Sequence, residues 1–148
     1  MGSPSVPNPR PVNSYVFGSP EVNIAPYSLG QVVGNCTMRE KVEVIAAFPH
    51  MHMLGTSLTF ETGTSEANMK TVFKRDPYSF DNQAIEPMKL TLSPGDLTRV
   101  TCKYKNTTGH VIKYGESSLS EMCFFLAFAV DRPFQSACMT VLPPLTGR

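Results

Sequence analysis

The chain divides into nine short apolar runs at close spacing, and that pattern constrains its fold more than any other feature. In Lys41-Val42-Glu43-Val44-Ile45-Ala46-Ala47-Phe48 the even positions are apolar and the early odd ones charged, the period-2 mark of a half-buried strand. Runs of similar character occupy residues 31–37, 57–61, 69–74, 88–92, 97–104, 111–114, 122–130 and 137–141. Turn chemistry separates them. Ser93-Pro94-Gly95-Asp96 is the clearest break, with Asp76-Pro77 and Thr108-Gly109 beside it. No stretch offers three helical turns of amphipathic spacing with caps. Short strands this close together predict an all-β fold, an antiparallel sandwich of about nine strands.

The remaining composition excludes several classes. A length of 148 residues fits one domain and suffices to bury a core without metals or disulfides being required. With 41% apolar and 17% charged residues, the chain is globular rather than disordered. A net charge of +1 offers no basic face for nucleic acid and little attraction to an anionic membrane. No apolar run reaches the roughly 18 residues of a membrane span. The N-terminus has no apolar core of a signal peptide, and Met1-Gly2-Ser3 reads as an expression scar, so the chain is expected to be a piece of a longer protein. Four prolines between Pro4 and Pro11 predict an extended linker over residues 1–14. The packed domain is expected over residues 15–142, followed by a tail at 143–148.

Four cysteines allow three pairings. Cys36 lies in an early run and Cys138 in the last, whereas Cys102 and Cys123 lie on neighbouring late runs. These positions favour a nested arrangement, Cys36–Cys138 with Cys102–Cys123, over four reduced thiols, and no Cys-x-x-Cys pair points to zinc or redox exchange. Disulfides imply an oxidising compartment: extracellular, secretory lumen or periplasm. Asn35-Cys36-Thr37 and Asn106-Thr107-Thr108 are formal glycosylation sequons of a kind common by chance.

The chemistry gathers in Phe48-Pro49-His50-Met51-His52-Met53-Leu54-Gly55. Two histidines at i and i+2 on a strand share one face, about 6–7 Å apart along the backbone, and both imidazoles reach one metal ion. A lone His-x-His is a weak signal. Interleaved methionines strengthen it, because thioether with imidazole suits Cu(I), whereas zinc wants a further histidine, thiolate or carboxylate. Met51 points away from the pair and is not a co-ligand. Met122 opens an apolar run beside Cys123; it is a thioether candidate, although most methionines in such a chain are packing residues. His110, in a turn, reads as an exposed loop residue, the alternative being an extra copper ligand. Glu116 and Glu121 read as supporting or solvated carboxylates rather than acid–base catalysts.

The segment His-x-His-x-Leu-Gly, followed about 60 residues later by Gly-x-Ser-Ser-x-x-Glu-Met-Cys, resembles the copper type II, ascorbate-dependent monooxygenases, which include peptidylglycine alpha-hydroxylating monooxygenase and dopamine beta-monooxygenase. The similarity extends over nearly the whole domain and is to the C-terminal half of a two-domain catalytic core, a jelly-roll sandwich. It implies that His50, His52 and Met122 hold the substrate-side copper, and that the four cysteines pair in the nested order. It also implies ascorbate as reductant, dioxygen as co-substrate and hydroxylation of an unactivated C–H bond in a small-molecule or peptide substrate. The second copper of such a core is held by three histidines on an N-terminal domain. This chain has three histidines in all, so it is expected to bind one copper and to depend on that partner domain for coupled turnover. Peptide-amidating members carry an arginine and a tyrosine where Phe48 and Leu126 stand, which implies a different, more apolar substrate here. Two other classes compete with the enzyme reading: a non-catalytic carrier or store of Cu(I), and a structural sandwich with incidental histidines.

Overall fold

In a computed structural model of the chain, residues 10–139 are described. The expected linker up to residue 9 and the expected tail at 143–148 lie outside them. The described residues form eleven β segments and two short 3-10 turns, with no α-helix. The strands are β1 (Val12–Gly18), β2 (Asn23–Ile24), β3 (Ser28–Thr37), β4 (Val42–His50), β5 (Gly55–Gly63) and β6 (Lys70–Arg75). They continue as β7 (Glu86–Leu92), β8 (Leu97–Asn106), β9 (Ile112–Lys113), β10 (Phe124–Val130) and β11 (Ser136–Met139). The all-β class expected from the spacing is what the structure shows, and a jelly-roll sandwich is consistent with it. Each of the nine runs meets a strand; β1 and β2 are additional.

Two main sheets face each other. One has the order β11-β1-β10-β4-β7 and the other β3-β8-β5-β6, with β2 and β9 forming a small ribbon. All pairings are antiparallel except β1 with β11, which run parallel, a departure from the purely antiparallel expectation.

Alternation drives one face of each sheet inward. On β8, Val100, Cys102 and Tyr104 are buried and the residues between them are not. The core is aromatic at its centre: Phe60 of β5 stacks on Phe125 of β10 at 4.3 Å between ring centroids, and Phe17 and Phe73 pack around that pair at 5.1 Å. Such pairs contribute about 0.5–1.5 kcal/mol beyond the burial of their area.

Both disulfides cross from sheet to sheet. Cys36 of β3 is bonded to Cys138 of β11, with Cα atoms 5.6 Å apart, and Cys102 of β8 to Cys123, just before β10, at 5.8 Å. Near the second bridge the sheets approach closely. A Cβ on Gly34 of β3 would lie 2.0 Å from the carbonyl oxygen of Gly18 on β1, so only glycine fits there. The close approach, the Cys102–Cys123 bridge and the end of β10 lie together, and β10 is the strand that pairs with His50.

Candidate metal centre

β4 ends at His50 because its ladder with β10 ends there, at the pair His50–Phe124. His52 therefore lies beyond the strand, in the turn leading to β5, and not on a common strand face as the spacing predicted. What turns the chain is a set of buried side chains. The Tyr78 hydroxyl accepts from the Met51 N–H at 3.1 Å and donates to the Met51 carbonyl at 2.9 Å, replacing a strand partner at that residue. Met51 itself is fully buried, and Gly55 leaves room for it: a Cβ there would lie 2.8 Å from the Met51 Sδ.

The turn brings the imidazoles together. Their centroids are 5.3 Å apart and their planes stand at 80°. Two imidazoles bonded to one ion at about 2 Å each have centroids about 5 Å apart, so the separation fits a shared ion. Each ring has one nitrogen committed. The Nδ1 of His50 lies 3.3 Å from Gln83 Oε1 and the Nδ1 of His52 lies 2.9 Å from the Ser120 carbonyl oxygen. Both partners are acceptors, so each Nδ1 carries the proton and each Nε2 keeps its lone pair for a metal, the usual way a supporting oxygen fixes the tautomer of a ligating histidine. Burial pulls the His50 pKa below the ordinary imidazole value, helped by nearby His52 and opposed by the bond to Gln83, so the ring stays neutral at neutral pH.

Glu121 joins the segment of His52 to that of Met122. Its side chain is fully buried, and its carboxylate accepts the backbone N–H groups of His52 at 2.8 Å, Leu54 at 2.8 Å and Met122 at 3.3 Å. Burial pushes its carboxyl pKa upward, and the three donated N–H bonds oppose that rise. The role seen is structural support, in line with reading Glu121 as a supporting carboxylate. Met122 is fixed on both sides. Its carbonyl accepts the Tyr104 hydroxyl at 2.7 Å, and the next residue is the bonded Cys123.

The structure thus brings His50 and His52 together and sets the Met122 backbone on the same carboxylate as His52. It does not bring His110 to them: that residue is exposed in the turn before β9, its carbonyl accepting from Asn106 Nδ2. Asn106 is buried and its amide serves that turn, so the second sequon holds a structural asparagine. Among the described residues no three His, Cys, Asp or Glu side chains are placed to hold a metal ion. The two imidazoles are the only pair of histidine rings brought together among the described residues, and a soft metal such as Cu(I) accepts imidazole ligands.

Besides the Ser120 carbonyl, three contributors escaped the sequence reading: Gln83, Tyr78 and Phe80, all from the connection between β6 and β7. Phe80 packs its edge on His52 at 6.1 Å. The signal available for them was the Asp76-Pro77 turn, which marks a connection without saying what it covers.

A search of the curated proteins finds none that matches. A protein-family model does match, over residues 15–146: copper type II ascorbate-dependent monooxygenase, C-terminal domain. That span covers most of the chain, which therefore belongs to this family as its C-terminal domain.

Proposed function

We propose that this family member is the substrate-side copper half of a two-domain hydroxylating monooxygenase, with His50, His52 and Met122 as the metal ligands. The observation that carries the reading is the pair of neighbouring imidazoles, each with Nδ1 on a fixed oxygen and Nε2 uncommitted. Copper bound there would supply one-electron redox chemistry with dioxygen and a C–H substrate. The chain's own residues orient that chemistry. Gln83 and the Ser120 carbonyl hold the two rings in the metal-binding tautomer, Glu121 holds the His52 backbone against Met122, and Phe80 packs against the His52 ring.

With His50 and His52 in this site, His110 is the one histidine remaining, too few for a second, three-histidine centre. We assign that centre to an N-terminal domain of the same enzyme, with ascorbate as the reductant. The two disulfides are compatible with an oxidising compartment, and among the described residues no helix is long and apolar enough to cross a membrane. A secreted or periplasmic location follows from this reading.

Anaerobic Cu(I) titration tests it. One Cu(I) per chain is expected, lost in His50→Ala and weakened in Met122→Ala, and X-ray absorption of the loaded chain is expected to show two nitrogen scatterers and one sulfur. Gln83→Ala, which frees the Nδ1 of His50 without touching a ligand, is expected to weaken Cu(I) by about 10–100-fold. No binding, or binding unchanged by these substitutions, overturns the assignment. Cu(I) held without the sulfur scatterer removes Met122 from the ligand set.

A further inference from the structure

The outer face of the five-stranded sheet carries an open groove of about 560 Å³ that runs up to His50. Strand register builds its floor. One row crosses the sheet as Ala137, Val16, Leu126 and Phe48, each paired with the next on β11, β1, β10 and β4. The neighbouring row is Met139, Gly18, Phe124 and His50. Three inter-strand spacings separate the ends of each row, so the floor is about 14 Å long. Every side chain of these rows is apolar except the imidazole at one end.

The charge on the groove is as informative as its shape. Its polar lining apart from His50 is Gln135 and Ser136, both uncharged and both already engaged: Gln135 Nε2 donates to Ser14 Oγ at 2.6 Å, and Ser136 Oγ accepts from Arg132 at 2.9 Å. Arg132 does not line the groove and is held by the Glu40 carboxylate. A ligand carboxylate, phosphate or ammonium lying on this floor would lose water and gain no counter-charge, which is costly. An alkyl or aryl body would gain from burial against it, and the volume lies in the range of small-molecule sites.

The geometry points to an uncharged, elongated apolar molecule as the substrate class of this site, lying across four strands with one end at His50. This rests on the preceding reading that His50 holds the reactive metal. It goes beyond that reading by giving the length of the apolar floor, about 14 Å across four strands, and by excluding charged groups along it.

Binding to the metal-free full chain tests it, with n-decanol as the probe and decanoate and decylammonium as charged counterparts. Methyl resonances of Val16, Leu126, Ala137 and Met139 are followed by NMR, and Cu(I) titration is run separately. The expected result is that decanol shifts the methyl resonances of these four residues and binds at least tenfold more tightly than either charged probe. Leu126→Arg, on a half-buried outer position, is expected to reverse the preference toward decanoate. Three results overturn the inference: no shifts with decanol, equal or better binding of a charged probe, or shifts that follow protein concentration instead, which assign the face to a second copy of the chain. Each of these is compatible with one Cu(I) bound at His50, so failure here is distinct from failure of the copper assignment.

Discussion

The two outward faces of this sandwich are built by the same rules and read very differently. On the four-stranded sheet the outward row through the middle is Val33, Thr101, Thr59 and Lys74, and the next is Asn35, Arg99 and Glu61. On the five-stranded sheet the corresponding row is Ala137, Val16, Leu126 and Phe48. Both sheets bury their inner faces on the same aromatic cluster. An outward position on an antiparallel sheet is free to be polar, because the core does not need it. One sheet takes that freedom and the other does not, and the sheet that does not is the one that ends in His50. An exposed apolar surface of this kind is the mark of an interaction site rather than of a folding requirement.

The largest effect should come from what the two faces share. Phe125→Ala removes the ring stacked on Phe60 and is expected to cost about 3–5 kcal/mol by chemical denaturation. A cost below about 1 kcal/mol would mean that the two sheets do not depend on this contact and would dissolve the common reference for the comparison. The faces themselves should separate at the next level. Leu126→Gln and Thr101→Gln occupy outward positions on β10 and β8, and each is expected to change stability by no more than about 1 kcal/mol. Of the two, Leu126→Gln alone should weaken decanol binding. Equal ligand effects from both would erase the distinction between the faces.

The smallest effect lies on the rim. Arg132 donates two hydrogen bonds to Glu40 and holds that carboxyl below the ordinary carboxylate value, with the Tyr15 ring under the guanidinium at 5.3 Å. A lowered folded-state pKa means that the ionised pair stabilises above the unfolded carboxylate pKa, and that the contribution is lost as pH falls through the folded value. The pair is partly solvent-exposed, so Glu40→Gln is expected to remove no more than about 1 kcal/mol at neutral pH and nothing in strong acid, measured as the difference between two denaturation curves across pH. A difference that persists in acid would assign the contribution to packing of Arg132 on Tyr15 instead.

Much of the fold was legible because alternation is local. The run 97–104 became β8 and the run 41–48 became β4, each extended by two residues at its C-terminal end. β1 was hidden because Val12-Asn13-Ser14 follow a proline-rich stretch and look like linker; their strand character comes from pairing with β10, more than a hundred residues away. β2 is two residues long and is defined by its partner β9. The run 122–130 begins two residues before its strand, since Tyr104 and the Cys102–Cys123 bridge engage Met122 and Cys123 first. That run also carries the clearest trace of the site's face. In Phe124-Phe125-Leu126-Ala127-Phe128 there is no alternation at all, and a strand apolar on both sides has something to cover on each.

At the candidate centre the two histidines were visible as residues and their placement was not. A strand was the natural inference for His-x-His, and it failed at His52 because the ladder runs out at Phe124 and a tyrosine from another connection takes over at Met51. Gln83 and Tyr78 are invisible to periodicity because nothing local selects them. Their partners are about 30 residues away in sequence.

The Glu121 carboxylate, finally, has a consequence for how an ion is acquired. Its bond to the His52 amide closes a loop of 69 residues. Drawing together the ends of a free chain of that length carries an entropic penalty that a metal binding an unfolded chain would have to meet itself. Here the penalty is met during folding, by a buried carboxyl group and three amides. An ion arriving at the proposed site would then need only to lose water and seat between groups already side by side, so the domain is expected to fold first and bind afterwards.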